Sequence, residues 1–454
     1  MKQKINLLEG SIPKVLAKLA FPIMGTSLIQ MAYNMTDMIW LGRESSNAVA
    51  AVGAAGMYLW LANGIATVPR MGGQVKVAHA LGAGEKERAA EYAKASIHIG
   101  LIMIVLCTIV YTLCNRPLID FFRLNQESVV QDARIYLIIV GIGMFFSFMN
   151  QILTGMFTAM GNSITTFRST TVGLAANIIL DPVLIFGIGP FPAMGVAGAA
   201  IATVLAQAIV FGMFLLAVRK DGILFHQIHL FSKSRFSVWK EIGQIGCPVA
   251  VQNIIFSSLS MIIARLIAGW GDTAVAVQKV GSQIESISWM MADGFATAVN
   301  AFVAQNHGAG KKERIKKGYQ TAAILMACWG TFTSIILIFC PEIIFQVFIT
   351  EKEVLPMGVD YLRILGVSQL FMCLEITSAG AFQGLGKPML PTFAGVIGNA
   401  ARIPMAIALS ATALGLNGIW WSISISSIAK GVVVPVCFIM TLRKYLRGKN
   451  GCIS

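Results

Sequence analysis

Charge is scarce in this sequence: only 12% of its 454 residues are Asp, Glu, Lys or Arg, about half the share of an ordinary soluble domain. Water is therefore not its main solvent. The five histidines, at 79, 98, 226, 229 and 307, fall mostly near loops, and no Ser/His/Asp or metal-ligand constellation accompanies them, which argues against an enzyme. The eight cysteines show no CxxC or ligand spacing, so neither a disulfide frame nor a zinc site is expected. No phosphate loop is present either: before and after Gly386-Lys387, Ala381 takes the place of the first glycine and Pro388 that of the Ser/Thr, so ATP hydrolysis is unsupported. The formal net charge of +14 does not signal nucleic acid, because the cations lie between apolar runs and not on a base-reading element.

What the chain has in quantity is apolar sequence, 56% of residues with a mean hydropathy of +0.72. A helix crossing roughly 30 Å of hydrocarbon needs about 20 mostly apolar residues, and twelve such runs are readable. They fall at 15–41, 47–75, 93–114, 133–158, 164–189 and 194–218, then at 242–269, 273–304, 319–341, 357–383, 390–413 and 417–441. The first run continues far past a short signal-peptide core, so it is expected to remain as the first span. Loops on one side hold most cations, among them Lys2, Lys4, Lys14, Lys18, Lys76, Lys86, Arg88, Lys94, Lys233, Arg235, Lys240, Lys311, Lys317, Arg443, Lys444, Arg447 and Lys449; on the other, Arg43, Arg116, Arg123, Arg134, Lys352 and Arg363 are balanced by acids such as Glu127, Asp132, Glu351 and Glu353. The positive-inside rule then places both termini in the cytoplasm of a multi-pass plasma-membrane protein.

The longest polar connector, 219–241, separates an amino-terminal lobe, 1–218, from a carboxy-terminal lobe, 242–454. The halves repeat each other. LGAGEKERAAEY at 81–92 returns as HGAGKKERIKKGY at 307–319 and AFP at 20–22 as GCP at 246–248, both displaced by 226; TGMFTAMGN at 154–162 returns as AGAFQGLGK at 379–387, displaced by 225. An even six-span period keeps orientation, so the expected fold is an all-α membrane protein of two six-helix bundles related by pseudo-two-fold symmetry, with a substrate path between them.

Acids inside the apolar runs are the strongest functional signal, since a carboxylate in hydrocarbon costs several kcal/mol and those that persist usually face water and work there. Gln30, Tyr33, Asn34 and Asp37 form one stripe of the first span, and Asn177 and Asp181 share a face of the fifth. Both aspartates lie in the outward half of their spans, where a common site is geometrically open to them. The repeat maps Asp37 onto Ile263 and Asp181 onto Ala406, so the acidic pair belongs to one lobe alone. The other lobe has Glu285, Asp293 and Glu375. Lys279 is close enough in sequence to neutralise Glu285, while Glu375 falls opposite Asn150 under the offset of 225. Pro22 and Pro248, at matching places in the first and seventh spans, favour kinks and are candidate hinges.

These segments resemble the multidrug and toxic compound extrusion (MATE) family over essentially the whole chain, carried by QMAYNMTDMIWLGRESSNAVAAVG at 30–53, the two GAG loops, AANIILDPVLIFG at 175–187 and ITSAGAFQGLGKP at 376–388. The resemblance implies antiport of a cationic or amphipathic organic compound against H⁺ or Na⁺, with no other cofactor, by a protein that works as a monomer. It also implies that Gln30, Tyr33, Asp37, Asn150, Asn177, Asp181 and Thr203 line the amino-terminal cavity. Some members carry an acid where this chain has Gln252-Asn253 and another near Met372; here the nearest is Glu375. The expected ion site is therefore Asp37 and Asp181, with Asn177, Gln30 and Asn150 able to offer neutral oxygens to Na⁺. The substrate surface is expected from Tyr33, Asn34, Thr203, Gln252, Asn253, Glu285 and Glu375. A lipid or lipid-linked oligosaccharide flippase is the alternative, prompted by Arg265, Arg402 and Lys430 within apolar runs.

Overall fold

The computed structural model describes residues 5–122, 126–221, 224–228, 232, 234–347 and 354–447. Lys2, Lys4, Arg123, His229, Lys233, Glu351, Lys352, Glu353, Lys449 and Cys452, used above for composition and orientation, lie outside the described residues. Among the described residues there is no strand. The helices are α1 (Ile12–Glu44), α2 (Ser46–Gly82), α3 (Lys86–Leu113), α4 (Asn115–Asp120), α5 (Glu127–Ala159), α6 (Ser163–Phe186) and α7 (Gly195–Arg219), followed by α8 (Phe236–Ala268), α9 (Asp272–Gly308), α10 (Lys312–Phe339), α11 (Pro341–Gln346), α12 (Leu355–Gly366), α13 (Gln369–Gly384), α14 (Met389–Ser410) and α15 (Leu416–Leu446).

Ten of these are long and apolar enough to cross a membrane, and α12 with α13, bent by 46° at their break, makes an eleventh span. The helix over the remaining expected run, α9, is 37 residues long but is not apolar enough to count among these spans, as it carries Lys279, Glu285 and Asp293. The bend has a local cause. Ser368 turns its hydroxyl back onto the carbonyl of Leu365 at 2.9 Å, and a Gly366/Ser368 pairing of this kind interrupts the backbone ladder. The short helices α4 and α11, each of 6 residues, were not foreseen from hydropathy, being too short to give a periodic signal.

Helix ends follow local chemistry. Ser45 caps α2 by accepting from the amide of Ala48 at 3.0 Å, one of the donors a helix start leaves open. The sequence repeat reappears as backbone geometry: Gly84 and Gly310, in the paired GAG loops, have φ of 81° and 67°, and Gly161 and Gly386 have φ of 76° and 73°. Left-handed backbone at these turns is the reason for glycine at both places in both halves.

The chain divides into two compact units, the first made of residues 1–5 and 25–250 and the second of 6–24 and 251–454. The division falls two residues after Pro22 and two after Pro248, inside α1 and α8, so each of these helices contributes to both units. In the first unit α8 approaches α2 at glycines. A Cβ on Gly246 would stand 2.2 Å from the carbonyl oxygen of Val68, and one on Gly72 would stand 2.3 Å from that of Ile242. Small residues at such crossings let helices gain packing contact that lipid cannot replace. Beside this seam Lys76 pairs with Glu241 at 2.7 Å, and Tyr92 donates its hydroxyl to the same carboxylate at 2.6 Å.

Candidate ion and substrate site

In the first unit, α1 brings Tyr33 and Asp37 inward one turn apart, α6 does the same with Asn177 and Asp181, and α7 adds Thr203. Asp37 is 8% exposed, and Asn177 and Asp181 are 0% exposed. The side-chain amide of Asn177 donates to Asp181 Oδ1 at 2.9 Å, and Pro182 follows at once, breaking the regular ladder of α6 just where the carboxylate sits. Tyr33, Asp37, Asp181 and Thr203 lie within electrostatic range of one another. Tyr136 of α5, buried among them, was missed by the sequence reading. Its signal was a phenol within an apolar run, a side chain that normally needs a polar neighbour when buried.

The cluster is rich in oxygens without partners. Asp37 Oδ1, Asn177 Oδ1 and Asp181 Oδ2 are buried with no hydrogen bond, and Tyr33 Oη and Thr203 Oγ1, close to each other, are buried without a well-aligned one. Buried polar atoms are satisfied in the great majority of proteins, so each exception calls for an explanation. Five oxygens, two of them from carboxylates, form a donor set suited to a proton or a hard cation.

Other expected residues lie apart from this cluster. Gln30 and Asn34 are exposed on α1, so the four-residue stripe splits into an inward and an outward part. Asn150 is buried, but its amide donates to both the backbone oxygen and Oε1 of Gln207, each at 2.9 Å; its own Oδ1 is left unpartnered. Pro22 and Pro248 lie inside α1 and α8, at the places where the two units meet along the chain.

The second unit is built differently. Ile263 and Ala406, the counterparts of Asp37 and Asp181, belong to one buried apolar cluster with Tyr361 and Trp420. Polar groups gather elsewhere: Lys430 pairs with Glu375 at 3.0 Å, and Arg402 donates to the hydroxyls of Ser426 at 3.2 Å and Ser427 at 3.1 Å. Glu285 accepts from Gln369 at 3.3 Å and faces Arg402. Among the described residues Lys279 makes no ion pair with it, so the sequence-local pairing is replaced by partners from α13 and α14. Gln252 lies against Gly395 of α14, whereas Asn253 and Asp293 are exposed.

Among the described residues, the body is helical throughout, most of its helices are long and apolar enough to cross a membrane, and a buried acidic pair sits within it, an arrangement suited to a polytopic transporter. The MatE family model matches residues 22–183 and 248–408, two stretches that begin 226 positions apart and end 225 apart, the offsets of the internal repeat. The chain belongs to the MATE family, whose fold is twelve transmembrane helices in two six-helix bundles. Over 445 residues it is 30% identical to the "Probable multidrug resistance protein NorM" of Thermotoga maritima, covering 96% of this chain and 93% of that protein. A protein named "FAD transporter" from Shewanella oneidensis is 24% identical, with 98% and 97% covered. Among solved structures, a MOP superfamily transporter from Pyrococcus furiosus superposes with a TM-score of 0.90 at 23% identity, covering 98% of each chain.

Proposed function

We propose that this transporter exports organic, cationic or amphipathic, drug-like compounds in exchange for H⁺ or Na⁺, with Asp37 and Asp181 holding the coupling ion. The observation that carries the reading is the set of unpartnered buried oxygens around those two carboxylates. Two like charges buried together are unfavourable unless neutralised. An entering proton or cation supplies that neutralisation, and its binding competes with a cationic substrate for the same cavity. Asn177, through its free Oδ1, adds a neutral ligand for Na⁺; Gln30 and Asn150 complete the set only in a conformation that draws them in. Relatives named as multidrug resistance proteins support the substrate class. The flippase alternative draws little support, because Lys430 is already held by Glu375 and Arg402 by two serine hydroxyls.

The test is ethidium-type dye efflux from vesicles under separately imposed H⁺ and Na⁺ gradients. Wild type responds to one of the gradients, and Asp37→Asn inserts normally but loses gradient-driven efflux. Full export by that variant, or indifference of the wild type to both gradients, would sink the reading.

A further inference from the structure

The two GAG loops differ in a way the transport cycle does not require. Under the repeat offset Glu85 becomes Lys311, Ala90 becomes Lys316 and Glu91 becomes Lys317. In the first unit the loop's acids engage cations: Arg88 pairs with Glu85 at 3.3 Å and Arg235 with Glu91 at 3.9 Å. In the second unit acids have given way to lysines. Structure then adds more charge to the same place. Lys312 Nζ donates to the backbone oxygen of Tyr445 at 3.2 Å and sits 4.9 Å from the centre of its ring; Tyr445 in turn bonds His307 at 3.0 Å. These contacts bring the end of α15, with Arg443, Lys444 and Arg447, beside the start of α10.

Lys311 and Arg314 are spent on the carbonyls of residues 7–10. Lys316, Lys317, Arg443, Lys444 and Arg447 are not: among the described residues none has a carboxylate within ion-pairing distance, although Glu9 and Glu313 are neighbours in the region. Further along the same helices, exposed Ile324 and Leu325 of α10 and Ile439 and Met440 of α15 continue the patch as an apolar track. Cations at the membrane edge above an apolar track match an anionic phospholipid, headgroup to lysines and arginines, chains to the helix flank.

We propose that the α10 start and α15 end form a binding site for an anionic phospholipid. The positive-inside rule accounts for cations on this side but not for the exchange of Glu85 and Glu91 of the first repeat for Lys311 and Lys317 in the second.

The purified full-length protein in detergent is titrated with phosphatidylglycerol or phosphatidylcholine, with retained lipid read by native mass spectrometry and thermal unfolding followed in parallel. Wild type retains phosphatidylglycerol preferentially. Lys316→Gln/Lys317→Gln weakens that preference by roughly five-fold per cation, the worth of a basic residue near an anionic surface, and Lys316→Glu/Lys317→Glu abolishes it. Lys86→Glu/Lys220→Glu, which removes equal charge from the first unit, leaves it intact. The site is refuted if the Gln and Glu variants unfold like wild type yet keep the preference, if the first-unit control loses as much, or if inorganic phosphate alone displaces the lipid at equal concentration.

Discussion

Asn177 and Asp181 face each other across one turn of α6, the amide of the first donating to Oδ1 of the second at 2.9 Å while Asp181 Oδ2 and Asn177 Oδ1 stay unpartnered. The bond orients the carboxylate and leaves one oxygen of each side chain for a ligand. A hydrogen bond to a charged group is worth about 1.5–3 kcal/mol. With Na⁺ as the coupling ion, Asn177→Ala removes a ligand oxygen and is expected to raise the Na⁺ concentration for half-maximal efflux by roughly ten-fold or more; with H⁺, the lost donor had favoured the ionised carboxylate, so half-maximal efflux moves to lower proton concentration. Dye efflux measured across a range of ion concentrations checks this.

Comparison of the repeats leads to a second expectation. Where the first unit has Asp37 and Asp181, the second has Ile263 and Ala406 in an apolar cluster. Replacing buried charge by well-packed apolar groups is often neutral or stabilising by about 1–4 kcal/mol. The variant Asp37→Ile/Asp181→Ala should insert, melt no lower than wild type and transport nothing. A lower melting temperature would mean that the acids also hold the unit together.

Glu375 and Lys430 behave oppositely. Their side chains are 13% and 9% exposed and 3.0 Å apart, and removing one partner of such a pair strands the other at a cost of about 3–5 kcal/mol. Lys430→Met is expected to lower the unfolding temperature sharply. Lys430→Met/Glu375→Gln should recover most of the loss, as followed by thermal unfolding in detergent.

Glycines of two kinds should respond differently to alanine. At Gly246 the added Cβ meets the backbone of Val68 at 2.2 Å, and backbone cannot move aside cheaply, so a loss of about 1–3 kcal/mol follows. At Gly84 nothing lies within 4 Å, and only the left-handed φ opposes the change, by about 1–2 kcal/mol. Gly246→Ala should therefore also disturb transport, because it pushes α8 off α2, whereas Gly84→Ala should lower stability alone. Unfolding and efflux of the two variants separate the cases.

Much of the fold was legible without coordinates because a bilayer imposes length and polarity on every span. Eleven of the twelve predicted runs fall on single long helices to within several residues at each end, and the tenth, 357–383, falls on the broken pair α12 and α13. The bend between α12 and α13 was hidden, since it comes from a serine turning onto its own backbone and leaves the average hydropathy unchanged. Asp37, Asn177 and Asp181 stood out as polar groups in oil. Tyr136 did not, because a tyrosine in an apolar run looks like filler until its neighbours are known.

The sequence by itself determined the solvent, the helical spans, the internal repeat and the acids that break the apolar pattern, all of them properties that neighbouring residues carry along one strand of text. Tertiary structure alone decided the partners: Glu375 with Lys430, Glu285 with Gln369 and not Lys279, Asn150 with Gln207, and the passage of α1 and α8 from one unit to the other. Pairings of that kind depend on distances between residues tens to hundreds of positions apart, and no periodicity records them.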